Sequence, residues 1–152
     1  MTPARTWREV VEGIEVEVLE FEGTVESVEK ASRLSGEPPS RIAKTLLLKT
    51  EGGYVVAVVR GDRRVSFEKA AQVLGGPARL ARPEEVKRVL GSEPGAVTPL
   101  SSSVKRLRVL LDPALLENEY VLCGGGSLNR LFKVRVRDLV EYLKPEVADA
   151  FE

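Results

Sequence analysis

No histidine occurs anywhere in the 152 residues, and there is one cysteine, Cys123. Without imidazole there is no Ser-His-Asp triad, no Cys-His pair and none of the usual zinc sites. A lone cysteine excludes an internal disulfide and fits a reducing compartment, so a cytoplasmic location is expected. No apolar run reaches membrane-spanning length, and the opening MTPARTWREV lacks the apolar stretch of a signal peptide. Net charge is also missing: 23 basic residues balance 23 acidic ones. No global field therefore draws the chain onto nucleic acid or an anionic membrane, and any such contact has to be local.

What is present is the composition of a soluble globular protein, 43% hydrophobic and 30% charged. The length predicts one domain over residues 1–152. GIEVEVLEF alternates as a half-exposed strand, and TVESVEKASRLSG has helical spacing, with Thr24 as a plausible N-cap and Gly36 as a stop. AKTLLLKT and YVVAVVR, separated by EGG, read as a hairpin of central strands. SFEKAAQVLGG and RPEEVKRVLG are two short helices. The first is capped by Ser66, with Phe67, Ala70, Ala71 and Leu74 on one face; the second is closed by Gly91. LRVLLD, YVLC and LFKVRVRDL supply further strands, Asp112-Pro113 reads as a cap, and DLVEYL is a last helix. The interleaving predicts an α/β domain with a mixed sheet flanked by short helices.

Three segments break the pattern. Lys44-Thr45 sets an ammonium into the head of an apolar strand, on the face of Ile42, Leu46 and Leu48, with Thr45 facing the other way. A snorkelling lysine is the plain alternative to a functional one. GSEPGAVTPLSSS is a proline-stiffened loop that can bring Gly95 and Thr98 near a ligand, or can be an ordinary connection. CGGGSLN carries Gly124, Gly125 and Gly126 at a strand end, where successive N–H groups can form an anion nest or a simple turn. Cys123, after Tyr-Val-Leu on a strand, reads as a small buried hydrophobe and not a nucleophile. Ser101, Ser102 and Ser103 have no base to activate them.

Taken in order, IAKTLLLKTEGGYVVAVVRGDRRV, GSEPGAVTPL, VLLDPALLENEYVLCGGGS and FKVRVRDLVEYL resemble the YbaK and prolyl-tRNA synthetase-associated editing domains, over about residues 24–143. The resemblance implies a compact α/β fold with a partly barrel-like sheet. It also implies hydrolysis of the ester of mischarged aminoacyl-tRNA, on tRNA-Pro or a related tRNA carrying a small amino acid, with no metal or other cofactor. Lys44, Gly124 and Gly125 would carry catalysis, the glycines as donors to the oxyanion. Thr45, Gly95, Thr98, Pro99, Gly126, Ser127 and Asn129 would bind substrate. Some relatives carry a histidine near the glycine turn, where this chain has Ser127, Leu128 and Asn129.

A stand-alone, trans-acting protein is expected, with the tRNA acceptor end as partner and prolyl-tRNA synthetase as a second candidate. An inactive tRNA- or synthetase-binding module and a small-anion pocket are the rivals. Local cations would meet the tRNA: Arg41, then Arg60, Arg63 and Arg64 after the next strand, or a stripe of Lys133, Arg135 and Arg137.

Overall fold

Strands and helices alternate along residues 3–152, the part of the chain described by the computed structural model. β1 (Arg5–Val11) and β2 (Ile14–Glu20) form a hairpin through Glu12 and Gly13, both at positive φ, the handedness that matches strand twist. Helix α1 (Val28–Ser35) follows, then a 3-10 turn (Pro39–Arg41) and the hairpin β3 (Ala43–Thr50) and β4 (Gly53–Arg60). Next come α2 (Phe67–Leu74), β5 (Ala78–Leu80), α3 (Pro83–Leu90) and the four-residue α4 (Ser102–Lys105). β6 (Arg108–Leu111), β7 (Tyr120–Gly124), β8 (Arg130–Arg135), α5 (Val136–Leu143) and β9 (Glu146–Val147) complete the order.

The strands form two sheets. One is antiparallel, in the order β1-β2-β8-β7; the other is mixed, in the order β5-β3-β4-β6-β9, with β6 parallel to both its neighbours. A parallel bridge between Ile42 and Leu122 joins them along one edge. The expected partly barrel-like sheet is thus a pair of sheets that curl toward one another without closing.

Several local expectations change. Helix α1 is capped by Ser27, whose hydroxyl accepts from Lys30 N–H at 3.1 Å, so Thr24 is not its cap. That leaves residues 24–27 as an extended lead-in. Phe67 is 41% exposed, and only Ala70 of its predicted face is fully buried. Arg137 lies in α5 and not on β8, which breaks the predicted stripe after Arg135. β1, β5 and β9 were not predicted; none has a clean alternation, and pairing with a neighbour decides each of them.

Three clusters of buried side chains hold the fold. The largest lies between the inner sheet faces and includes Val18, Leu47, Val58, Cys123 and Phe132. A second lies under α2, with Leu48, Val59, Ala70, Leu110 and Phe151, and a third under α1, with Leu19, Phe21, Ile42 and Leu122. Each large side chain fully buried contributes roughly 1.5–3 kcal/mol. β3 alternates between clusters: Ala43 and Leu47 enter the first, Ile42 the third, Leu46 and Leu48 the second. Lys44 stands where the third cluster ends and the second begins.

Asp112 is wholly buried and satisfied from three sides. It accepts from Arg60 N–H at 3.2 Å, Arg63 Nε at 3.0 Å and Ala114 N–H at 3.0 Å. It therefore ties the end of β4 to the 3-10 turn Pro113–Glu117, as its capping motif suggested. Asp112→Asn keeps the shape but turns an amide NH2 toward donors. Urea unfolding should show a loss of roughly 2 kcal/mol, the scale of an unsatisfied buried group; an unchanged midpoint would remove this aspartate from the account of the fold.

Candidate active site

The parallel bridge of Ile42 and Leu122 runs β3 alongside the free edge of β7, which brings Lys44 beside Gly124. Here a cleft of about 320 Å³ opens, lined by Lys44, Thr45, Gly95, Gly124 and also Val25 and Glu26. Four of the predicted site residues therefore converge from three separate segments. Lys44 is half-buried and takes part in no ion pair among the described residues. Burial lowers the pKa of its ammonium, and the charge of Asp62 opposes that shift. Asp62 itself is held by Arg60, at 2.6 and 3.1 Å. The Thr45 hydroxyl oxygen is buried with no hydrogen-bond partner, on the opposite face of the strand from Lys44.

Gly124 is the closest point of the site. A Cβ there would run into the Val97 carbonyl oxygen, so β7 and the proline loop touch backbone to backbone. Gly125 N–H donates to the Arg130 carbonyl at 3.1 Å, just past the end of the β7–β8 ladder. It is therefore not a free oxyanion donor, contrary to expectation. The alternation of an antiparallel ladder turns the Gly124 N–H the other way, toward the edge that β3 approaches.

Thr98, Gly126 and Ser127 lie elsewhere. With Lys87 and Ser101 they line a larger cleft of about 780 Å³ behind the loop, and Val97 belongs to both walls. The Thr98 hydroxyl accepts from Leu100 N–H at 3.2 Å, and Pro99 is buried beneath it. Asn129 is structural in its contacts: it accepts from the Ser127 hydroxyl at 3.2 Å and donates to the Phe21 carbonyl at 3.2 Å.

Six of the seven predicted cations pair with acids. Arg60 pairs with Asp62 and Glu117, Arg63 with Asp112 and Arg64 with Glu152. Arg41 pairs with Glu37 at 3.5 Å and also joins Lys133 around Tyr120, donating to its hydroxyl at 2.9 Å while the Lys133 ammonium sits 4.0 Å from the ring centre. Arg135 is beside them, with Glu119 at 3.4 Å. Arg137 pairs with Asp138 on α5.

Glu26 was missed by sequence reasoning. It lines the cleft because it directly precedes the capping Ser27 and lies under the Gly95 loop, and Ser27 as an alternative cap to Thr24 was the available signal. The Lys30 ammonium, 2.6 Å away, helps hold the Glu26 carboxyl down at about 2. Cys123 also borders the cleft but is 1% exposed, and burial pushes its thiol up to about 12. That is an inert sulfur, as its place in the sequence suggested.

Residues 22–142 match the model of the aminoacyl-tRNA editing domain, and the chain belongs to that family. The uncharacterised protein YwhH of Bacillus subtilis is 34% identical over 129 residues, which is 84% of this chain and 82% of that one. The proline–tRNA ligase of Thermotoga neapolitana is 38% identical over 84 residues, covering 55% of this chain and only 15% of the ligase. Among solved structures, one described as a candidate trans-editing enzyme for prolyl-tRNA synthetase superimposes with a TM-score of 0.82 at 31% identity. It covers 90% of this chain and 87% of that one. No helix among the described residues is long and apolar enough to cross a membrane.

Gly124→Ala should force the 94–97 loop away from β7. Overpacking of this kind costs roughly 1–3 kcal/mol, readable as a lower melting temperature. A variant of unchanged stability would show that the backbone contact is looser than described.

Proposed function

We propose that this chain is an aminoacyl-tRNA deacylase that hydrolyses the ester of mischarged tRNA, acting in trans. The carrying observation is Lys44, a half-buried ammonium without a carboxylate partner, held in a small cleft against a glycine strand end. A structural lysine would be paired or fully solvated. An ammonium kept partly dry is available for substrate oxygen.

In this reading water attacks the ester carbonyl, and the developing oxyanion is met by Gly124 N–H and Lys44. Loss of one such donor typically removes about 2.7–4 kcal/mol of transition-state stabilisation. The bond from the carbonyl carbon to the ribose oxygen breaks, and the proton lost by water ends on that oxygen. The products are a free amino acid and a terminal hydroxyl. An activated ester held in place needs no stronger base, which suits a chain without histidine.

The relatives that are proline–tRNA ligases, and the neighbour described as acting for prolyl-tRNA synthetase, support tRNA-Pro as substrate and that synthetase as partner. Arg41, Lys133 and Arg135 around Tyr120 are the preferred cations for the acceptor end, because they converge on one tyrosine and Lys133 takes part in no ion pair among the described residues.

Two experiments test the proposal. Lys44→Met should abolish release of amino acid from mischarged tRNA-Pro. It should also leave stability equal or higher: burial lowers the folded pKa of Lys44, so below that pKa its charge disfavours the folded state. Full deacylation by a folded Lys44→Met variant would overturn the assignment.

Charge reversal of Lys133 and Arg135 should flatten the log–log salt dependence of tRNA binding by about 0.7–0.9 per lost contact. Hydrolysis of a minimal aminoacyl-adenosine ester should be unaffected. An unchanged slope would place tRNA recognition on another surface.

A further inference from the structure

The cleft that holds Lys44 has a second charge on its wall. Val25, Val28, Ile42, Leu46, Val97 and Leu131 make the lining largely apolar, and among it Glu26 supplies the one carboxylate. Glu26 and Lys44 do not pair with each other: Glu26 is held by Lys30, and the charge that raises the Lys44 pKa is Asp62. An ammonium and a carboxylate thus face one space without neutralising each other.

Glu26 is also fixed in place. It immediately precedes the capping Ser27, and its Oε1 is bound by Lys30 one turn along α1. The proline loop lies directly on it, since a Cβ at Gly95 would strike the Glu26 Cβ. Glycine at that position lets the loop close over the carboxylate. The Thr24 side chain also hydrogen-bonds this carboxylate and helps keep it ionised, so the group borders the cleft as an anion. The side chain keeps 33% of its surface exposed, so it borders solvent and is reachable.

An aminoacyl ester carries complementary groups in the same order. Its carbonyl oxygen gains negative charge in the transition state, and one carbon away stands a free α-ammonium. We infer that Glu26 binds the α-ammonium of the substrate while Lys44 meets the carbonyl side. The enzyme is thereby selective for esters of free amino acids over N-acylated ones such as peptidyl or formylated esters. This inference rests on the deacylase reading of the cleft, and it adds to that reading the substrate's charge state and the residue that reads it. An N-acyl substrate would bring a neutral amide to Glu26 and lose a charge-assisted hydrogen bond.

The test uses the intact protein with 3′-aminoacyl-adenosine esters of glycine, alanine, serine and threonine, each also prepared as its N-acetyl derivative. The native protein should cleave its preferred free ester faster than the acetylated form. Glu26→Gln should lower kcat/KM for the free ester roughly tenfold to a hundredfold, the range of a hydrogen bond to a charged group, and leave the acetylated ester unchanged. Lys30→Ala, which removes the ion pair to Glu26 but keeps the carboxylate and the α1 cap, should preserve the preference for the free amine, and Glu26→Asp should restore part of it. Equal losses on both esters in Glu26→Gln would overturn the inference in favour of a structural role, and no loss on either would overturn it outright. If the native protein cleaves none of the esters and no mischarged tRNA, the deacylase reading itself falls. Cleavage with no preference for the free amine removes only the role of Glu26.

Discussion

The site depends on one backbone contact, the approach of β7 to the proline loop at Gly124 and Val97. Among the described residues the two sheets meet through main chain at the bridge of Ile42 and Leu122, and otherwise through the side chains packed between them. The loop laid against Gly124 fixes the second side of the opening, so the spacing between β3 and β7 is set by main-chain atoms and not by flexible side chains. Lys44, Thr45 and Gly95 inherit their positions from it. A cleft walled largely by main chain, with Lys44 and Glu26 as its charged side chains, has few rotamers to order around a ligand.

The placement of Lys44 follows from how β3 distributes its side chains. Ile42 closes the cluster under α1, and Leu46 and Leu48 open the cluster under α2. The position between them belongs to neither cluster, so an apolar side chain there would bury less surface than its neighbours do. That gap is where a charge costs least along the strand, and where it is nearest to Gly124. Asp112, by contrast, is fully enclosed and has all its partners. It holds β4 at Arg60, the register partner of Ala43, one residue from Lys44.

The elements legible in the sequence were those with strong periodicity and clean punctuation. β2, the β3–β4 hairpin, α2, α3 and the Asp112 cap follow from alternation, capping serines and terminal glycines. β1, β5 and β9 were not legible, because short or poorly alternating strands are fixed by the partner they pair with. The site divided in the same way. Lys44 and the glycine end of β7 stood out as exceptions to local rules. Glu26 did not, because a solvent-facing glutamate near a helix start is unremarkable until the Gly95 loop is seen to lie on it. The Arg137 error had a related cause: alternation continues from Phe132 through Arg137, yet the backbone turns helical at Val136.

The 94–97 loop stands between two clefts, and Val97 lines both. Its carbonyl is the atom that meets Gly124, while its side chain is the part that separates the two openings. One residue thus carries two independent roles, and exchanging the side chain reshapes both compartments at once while the main-chain contact stays in place.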